Sequence, residues 1–165
     1  MTITSAKTSI NKNKVPAIFK LVHNDGGWEF YQRNLDIGGG KFDTATKWLW
    51  DNYSINNHIY DPYNRTMGNN CFALGFFEYD TVTISNVLNV IESDARILDI
   101  LHLAQAKVGW AGKVFISVYE GDRSGKFKIG KDSMQRNWKL DQYLPLVKQV
   151  FANVSKRTGY IEAWN

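Results

Sequence analysis

Cys71 and His102 are the first residues whose types could do chemistry together. A thiolate becomes a nucleophile when an imidazole within hydrogen-bond reach takes its proton and a third group orients that base. Asn69, Asn70 and Glu120 offer the third group on paper, so a Cys71-dependent hydrolase is one expectation to test. The surroundings favour structural roles. Cys71 opens an apolar run to Tyr79, where a free cysteine acts as a small hydrophobe, and His102 flanks the buried stripe of a helix. His23, His58 and His102 are the only histidines. None shares a metal-ligand spacing with another or with Cys71, and no metal is expected.

Gly38-Gly39-Gly40-Lys41 invites a phosphate-loop reading. That loop needs a glycine where this chain has Leu35 and a hydroxyl where it has Phe42. The glycines are therefore read as a flexible turn before a helix. The richest basic stretch runs from Asp122 to Lys131. In an extended segment Lys126 and Lys128 share one face, with Phe127 and Ile129 on the other. Arg123, Lys131 and Arg136 lie nearby in sequence. Such a hairpin could follow a phosphate backbone, with Trp138 or Tyr143 free to stack. Its lysines could equally guard a solvated sheet edge.

The charge balance agrees with an anionic partner. The chain carries 20 Lys and Arg against 16 Asp and Glu, for a net charge of +4. The excess sits in residues 121–165, where Lys126, Lys128, Lys131 and their neighbours outnumber the acids. Phosphate, nucleic acid and an acidic protein face are the partners such a surface suits. Trp48, Trp50, Tyr60 and Tyr63 would anchor a partner or cover a loop.

The elements that would position these residues fit one domain. The length of 165 residues is a single-domain length. Residues 1–14 read as a mobile arm and 15–165 as one globular α/β domain. A single cysteine cannot form an internal disulfide, no apolar run is long enough to span a membrane, and a cytoplasmic location is expected. Val15 to Val22, Trp28 to Gln32, Cys71 to Tyr79, Val82 to Val90, Val114 to Tyr119 and Tyr160 to Trp164 read as strands. Asn56 to Asn70 reads as a loop. Helices are expected after Asp43, from Glu92-Ser93-Asp94 with Ile97, Leu101, Ala104 and Val108 facing in, and after Asp141 through Val154. The expected fold is α+β, a mixed, mostly antiparallel sheet flanked by about three helices.

Residues 71–164 resemble the GNAT superfamily of N-acetyltransferases. The likeness rests on element order and on Lys156-Arg157-Thr158-Gly159-Tyr160, which looks like that family's closing turn. The resemblance implies an acetyltransferase-like domain, active or degenerate, that moves an acetyl group from acetyl-CoA to an amine. It implies that Leu88 and Val90 hold the cofactor arm and that the loop and helix start at Arg96, Ile97 and Leu98 take its pyrophosphate. The family's loop has glycines where this chain has Asp99 and Leu101, and Ser155 stands where many members place a tyrosine. The alternative is a small basic, non-enzymatic module that binds nucleic acid or an acidic protein.

Overall fold

A computed structural model describes residues 12–76, 78–130 and 133–165. Most of the expected N-terminal arm, and Lys131, lie outside the described residues.

The chain enters through α1 (Ala17–Asn24), not a strand. Ile18, Phe19 and Val22 fall on one helical face and are buried. The helix stops at Asp25 and Gly26, whose φ of +69° suits glycine. Trp28 folds back on it and donates from Nε1 to the Phe19 carbonyl at 2.9 Å. From there strands and helices alternate: β1 (Arg33–Ile37), α2 (Thr44–Tyr53), β2 (Asn56–Tyr60), α3 (Met67–Gly75), β3 (Tyr79–Ser85), α4 (Asp94–Lys107) and β4 (Val108–Ser117). A small hairpin, β5 (Phe127–Ile129) with β6 (Met134–Arg136), follows. The chain ends on α5 (Leu144–Val150), β7 (Asn153–Arg157) and β8 (Tyr160–Trp164).

The main sheet has six strands in the order β2-β1-β3-β4-β8-β7. β2, β1, β3 and β4 run parallel, because each is joined to the next by a helical crossover. β8 alone runs opposite to the other five strands of this sheet. The α+β character and mixed sheet stand, but the mostly antiparallel sheet is corrected to a parallel core with an antiparallel edge. The helix count rises to five α-helices among the described residues.

Period-two alternation sorts the strands onto two faces. Leu35, Ile37, Val82, Ile84, Val114 and Ile116 face α4 and α5 and form the larger core. The opposite face meets α1 and α2 through Trp28, Phe115 and Tyr160. That face also carries a ladder of buried polar side chains. Asn34 Nδ2 donates to Asn57 Oδ1 at 2.7 Å and to Thr83 Oγ1 at 3.0 Å, while Thr81 Oγ1 donates to Asn34 Oδ1 at 2.9 Å. Asn57 in turn donates to Thr46 Oγ1 of α2 at 2.8 Å. Buried polar groups survive only when satisfied in this way. No helix among the described residues is long and apolar enough to cross a membrane.

Candidate functional site

β1 connects to β2 on one side, and β3 lies on its other side. At such a reversal the loops leaving the carboxyl ends of adjacent parallel strands part, and a crevice opens between them. The register sets those ends level: Ile37 pairs with Tyr60 and Ile84, and Ser85 with Ser117.

The turn leaving β1 is Gly38-Gly39-Gly40. Gly38 and Gly40 have φ of +74° and +76°, the left-handed region that side chains avoid. A Cβ at Gly38 would overlap Val87 Cγ2, just beyond β3. A Cβ at Gly39 would stand 2.5 Å from Asp36 Oδ2 and 3.0 Å from Ile59 Cγ2. The turn is held from both sides. Gly38 N donates to the Tyr60 carbonyl at 2.7 Å, Gly40 N to Asp61 Oδ2 at 2.9 Å, and Arg65 Nε to the Gly40 carbonyl at 2.7 Å. Arg65 also pairs with Asp43 at 2.8 Å.

Two carboxylates meet this turn and differ in character. Asp61, at the tip of β2, is only 4% exposed yet fully satisfied. Its Oδ1 accepts from the backbone of Tyr63 and Asn64, both at 3.0 Å, and its Oδ2 from Gly40 N and Asn64 Nδ2. Four donors fill the acceptor capacity of a carboxylate. Asp36, on β1, ends the polar ladder and takes one hydrogen bond, from Thr83 Oγ1 at 3.0 Å. Burial disfavours its charged form and raises its pKa to about 7, although the Thr83 bond and the Arg65 charge pull the other way. Nearby, Arg65 Nη2 and Ser85 Oγ, the latter at the carboxyl end of β3, are buried atoms with no hydrogen-bond partner.

The residues singled out from sequence disperse. Leu88 and Val90 lie in a short 3-10 turn after β3, not in a strand, and Leu88 is fully buried. Ile97 is in the core of α4, Leu98 packs beside it, and the Arg96 amide is bonded to the Ser93 cap at 3.3 Å. Cys71 is exposed in α3 and His102 exposed on α4, so the apolar strand expected at Cys71 to Tyr79 is instead a helix followed by the start of β3. Lys126 and Lys128 are exposed on the hairpin. Arg123 is exposed and paired with Glu120 at 2.6 Å. Arg136 is 1% exposed: it donates to the Ile91 and Glu92 carbonyls and to Asp94, between the rings of Phe127 and Trp138. Its charge anchors the hairpin to the segment before α4.

Sequence reasoning passed over Asp36, Asp61 and Ser85, and dismissed the glycine turn by testing only the phosphate loop. The available signal was a short apolar-polar strand, Leu35-Asp36-Ile37, running directly into Gly38-x-Gly40, with an acid at the tip of the next strand.

No protein-family model matches the chain, and no curated protein sequence matches it. Solved structures do resemble it. The S-adenosylmethionine-dependent methyltransferase SibL matches at 16% identity with a TM-score of 0.54, over 82% of this chain and 50% of that one. The 1,6-didemethyltoxoflavin-N1-methyltransferase of Burkholderia thailandensis, solved with S-adenosylhomocysteine, matches at 14% identity and 0.58, over 89% and 74%. Phosphoethanolamine N-methyltransferase 2 of Haemonchus contortus, also with S-adenosylhomocysteine, matches at 14% and 0.60, over 92% and 41%. The chain thus spans half or less of two of these three proteins. These neighbours overturn the acetyltransferase resemblance and, with it, acetyl-CoA as cofactor; they lend nothing to the small basic binding module either. What the likeness establishes is a methyltransferase-like fold.

Proposed function

We propose that this chain is an S-adenosylmethionine-dependent methyltransferase-like domain whose cofactor sits at the Gly38–Gly40 turn. The observation that carries the reading is the cradle itself. Three consecutive glycines leave the carboxyl end of β1 at the point where the strand order reverses, and Gly38 and Gly40 hold the turn at positive φ. Backbone that lacks Cβ atoms at a crevice is what close approach of a ligand requires. Ser85 Oγ and Arg65 Nη2 are unpaired polar atoms that a bound polar compound would satisfy. The donor set therefore fits an adenosyl amino acid.

When bound, S-adenosylmethionine supplies a methyl group on a positively charged sulfur, open to attack by a lone pair. The chain's own part is binding and orientation. Gly38, Gly39 and Gly40 admit the ligand, while Ser85 and Arg65 line it. Asp61 is assigned to bracing the turn, because all its acceptor positions are taken within the chain. A cytoplasmic setting suits a protein whose one cysteine, Cys71, is exposed and unpaired.

Calorimetric titration with S-adenosylhomocysteine tests the reading. The wild type should bind it, with affinity in roughly the micromolar range typical of a small-molecule site. Gly39→Ala, once shown to be folded by circular dichroism, should bind it much more weakly. Absence of binding to the wild type at millimolar ligand would refute the proposal.

A further inference from the structure

A cavity opens at the carboxyl end of the same sheet. It has a volume of about 730 Å³ and lies where β4 ends and the β7–β8 turn comes alongside. Its walls include Val118, Tyr119 and Leu140 and the cations Arg123, Lys156 and Arg157. Glu120 is the one carboxylate in the lining, and it is already committed. One oxygen accepts from Leu140 N at 2.8 Å and the other from Arg123 Nε at 2.6 Å.

The neighbouring acids hold the cations in place without covering them. Glu120 engages Arg123 through Nε. Arg157 gives Nε and Nη2 to Glu162, a buried carboxylate shared with Lys113. Lys156 reaches Asp141 at 2.5 Å, and both remain about half exposed. An ammonium or guanidinium fixed by one carboxylate keeps further N–H donors for a second anion. The cavity thus offers a cationic rim over an apolar wall.

Its position relates it to the glycine turn. β1, β3 and β4 are consecutive neighbours with level carboxyl ends, and Asn86 N, just past β3, donates to the Ser117 carbonyl at 2.9 Å. Two strand spacings separate Gly38 from Val118, roughly 10 Å. Such a separation suits two parts of one reaction site. The volume is that of a small-molecule site rather than a groove for a polymer.

We propose that this cavity binds the acceptor substrate and that the acceptor is a small organic acid. Its phosphate or carboxylate group faces Arg123, Lys156 and Arg157, and its apolar body lies against Val118, Tyr119 and Leu140. The assignment as an acceptor rests on the methyltransferase reading; the assignment as an anion site rests on the cavity alone.

The test is a titration of isotope-labelled full-length protein with phenyl phosphate, benzoate and neutral phenol, with and without S-adenosylhomocysteine, followed by amide chemical shifts. An acid should move the amides of Gly121, Thr158 and Gly159, and phenol should not. The tighter of the two acids identifies the anionic group. The double variant Arg123→Gln, Lys156→Gln changes exposed side chains only and should weaken the acid by about tenfold or more, the loss of at least one charge-assisted hydrogen bond. Unchanged affinity in that variant, equal shifts with phenol, or shifts centred elsewhere would each overturn the proposal. Acid binding without any binding of S-adenosylhomocysteine would keep the anion site but remove its role as an acceptor site. Binding of S-adenosylhomocysteine without acid binding would overturn this inference and leave the cofactor reading standing.

Discussion

Replacing Asp36 by asparagine removes an ionisable group from the least hydrated place beside the glycine turn. Asp36 is 2% exposed, and its pKa is about 7 against an ordinary value of 3.8. In the folded protein it therefore keeps its proton over a range where the unfolded chain has lost it. The unfolded state binds fewer protons there, so stability falls as pH rises from about 4 to about 7 and is flat above that window. A displacement of about three pKa units corresponds to about 4 kcal/mol at full extent. Asparagine is spared that cost. It keeps an acceptor for Thr83 Oγ1, but it adds a buried N–H group that must find a partner, at about 1–2 kcal/mol. The expected net gain for Asp36→Asn is therefore roughly 2–3 kcal/mol near pH 8, shrinking to zero or a small loss near pH 4.5. Urea denaturation of both proteins across this range reads the difference directly. Stability curves that stay parallel from pH 4.5 to pH 8 would show that Asp36 does not titrate in that window, and the account of its burial would be wrong.

Three further substitutions probe how the site is held. Asn34→Leu cuts the polar ladder at its centre and strands the Asn57 and Thr81 groups; a loss of about 2–3 kcal/mol is expected in chemical denaturation, and a neutral result would show the ladder to be dispensable. Arg136→Met leaves the Ile91 and Glu92 carbonyls without their donor, so the 118–139 segment should exchange its amide hydrogens faster while the main sheet stays protected; uniform protection would refute its anchoring role. Ser93→Ala removes the cap that receives Arg96 N and should lower the melting temperature by a few degrees, about 1 kcal/mol; an unchanged melt would mean water caps α4 equally well.

The elements that were legible from sequence are those with an apolar stripe or a strong cap. α2 after Asp43, α4 after Ser93, the start of α5 and β8 at Tyr160 to Trp164 all match their expectation. The misses have separate causes. β2 reads Asn-Asn-His-Ile-Tyr, which looks like a loop, because one of its two buried residues is Asn57, whose amide is satisfied sideways by Asn34 and Thr46. β1 was missed for the same reason, its Asn34 and Asp36 being polar yet buried. β7 was absorbed into the preceding helix because Phe151 and Val154 continue the apolar spacing of α5 by coincidence. α1 and the second half of α3 read as strands because the apolar runs Val15 to Val22 and Cys71 to Tyr79 are too short to separate the two periods, and the polar start of α3 reads as loop.

Those misses also explain why the site stayed hidden. The nucleophile, base and cation that the sequence offers stand apart: Cys71 on α3, His102 on α4 and Lys126 just before β5. The turn instead depends on what is missing: a Cβ at Gly38 would meet Val87, one at Gly39 would meet Asp36, and Gly40 has a φ of +76°. Those glycines acquire meaning only once β1 is recognised as a strand, since the same three residues after a loop are a mere hinge. Recognising β1 requires accepting Asn34 and Asp36 as interior residues. Nothing local licenses that, because their partners Asn57, Thr81 and Thr83 come from other strands. The polar ladder that disguises the parallel sheet is thus the feature that places a poorly hydrated carboxyl group beside the glycine turn. Fold and site became readable together, through the same contacts.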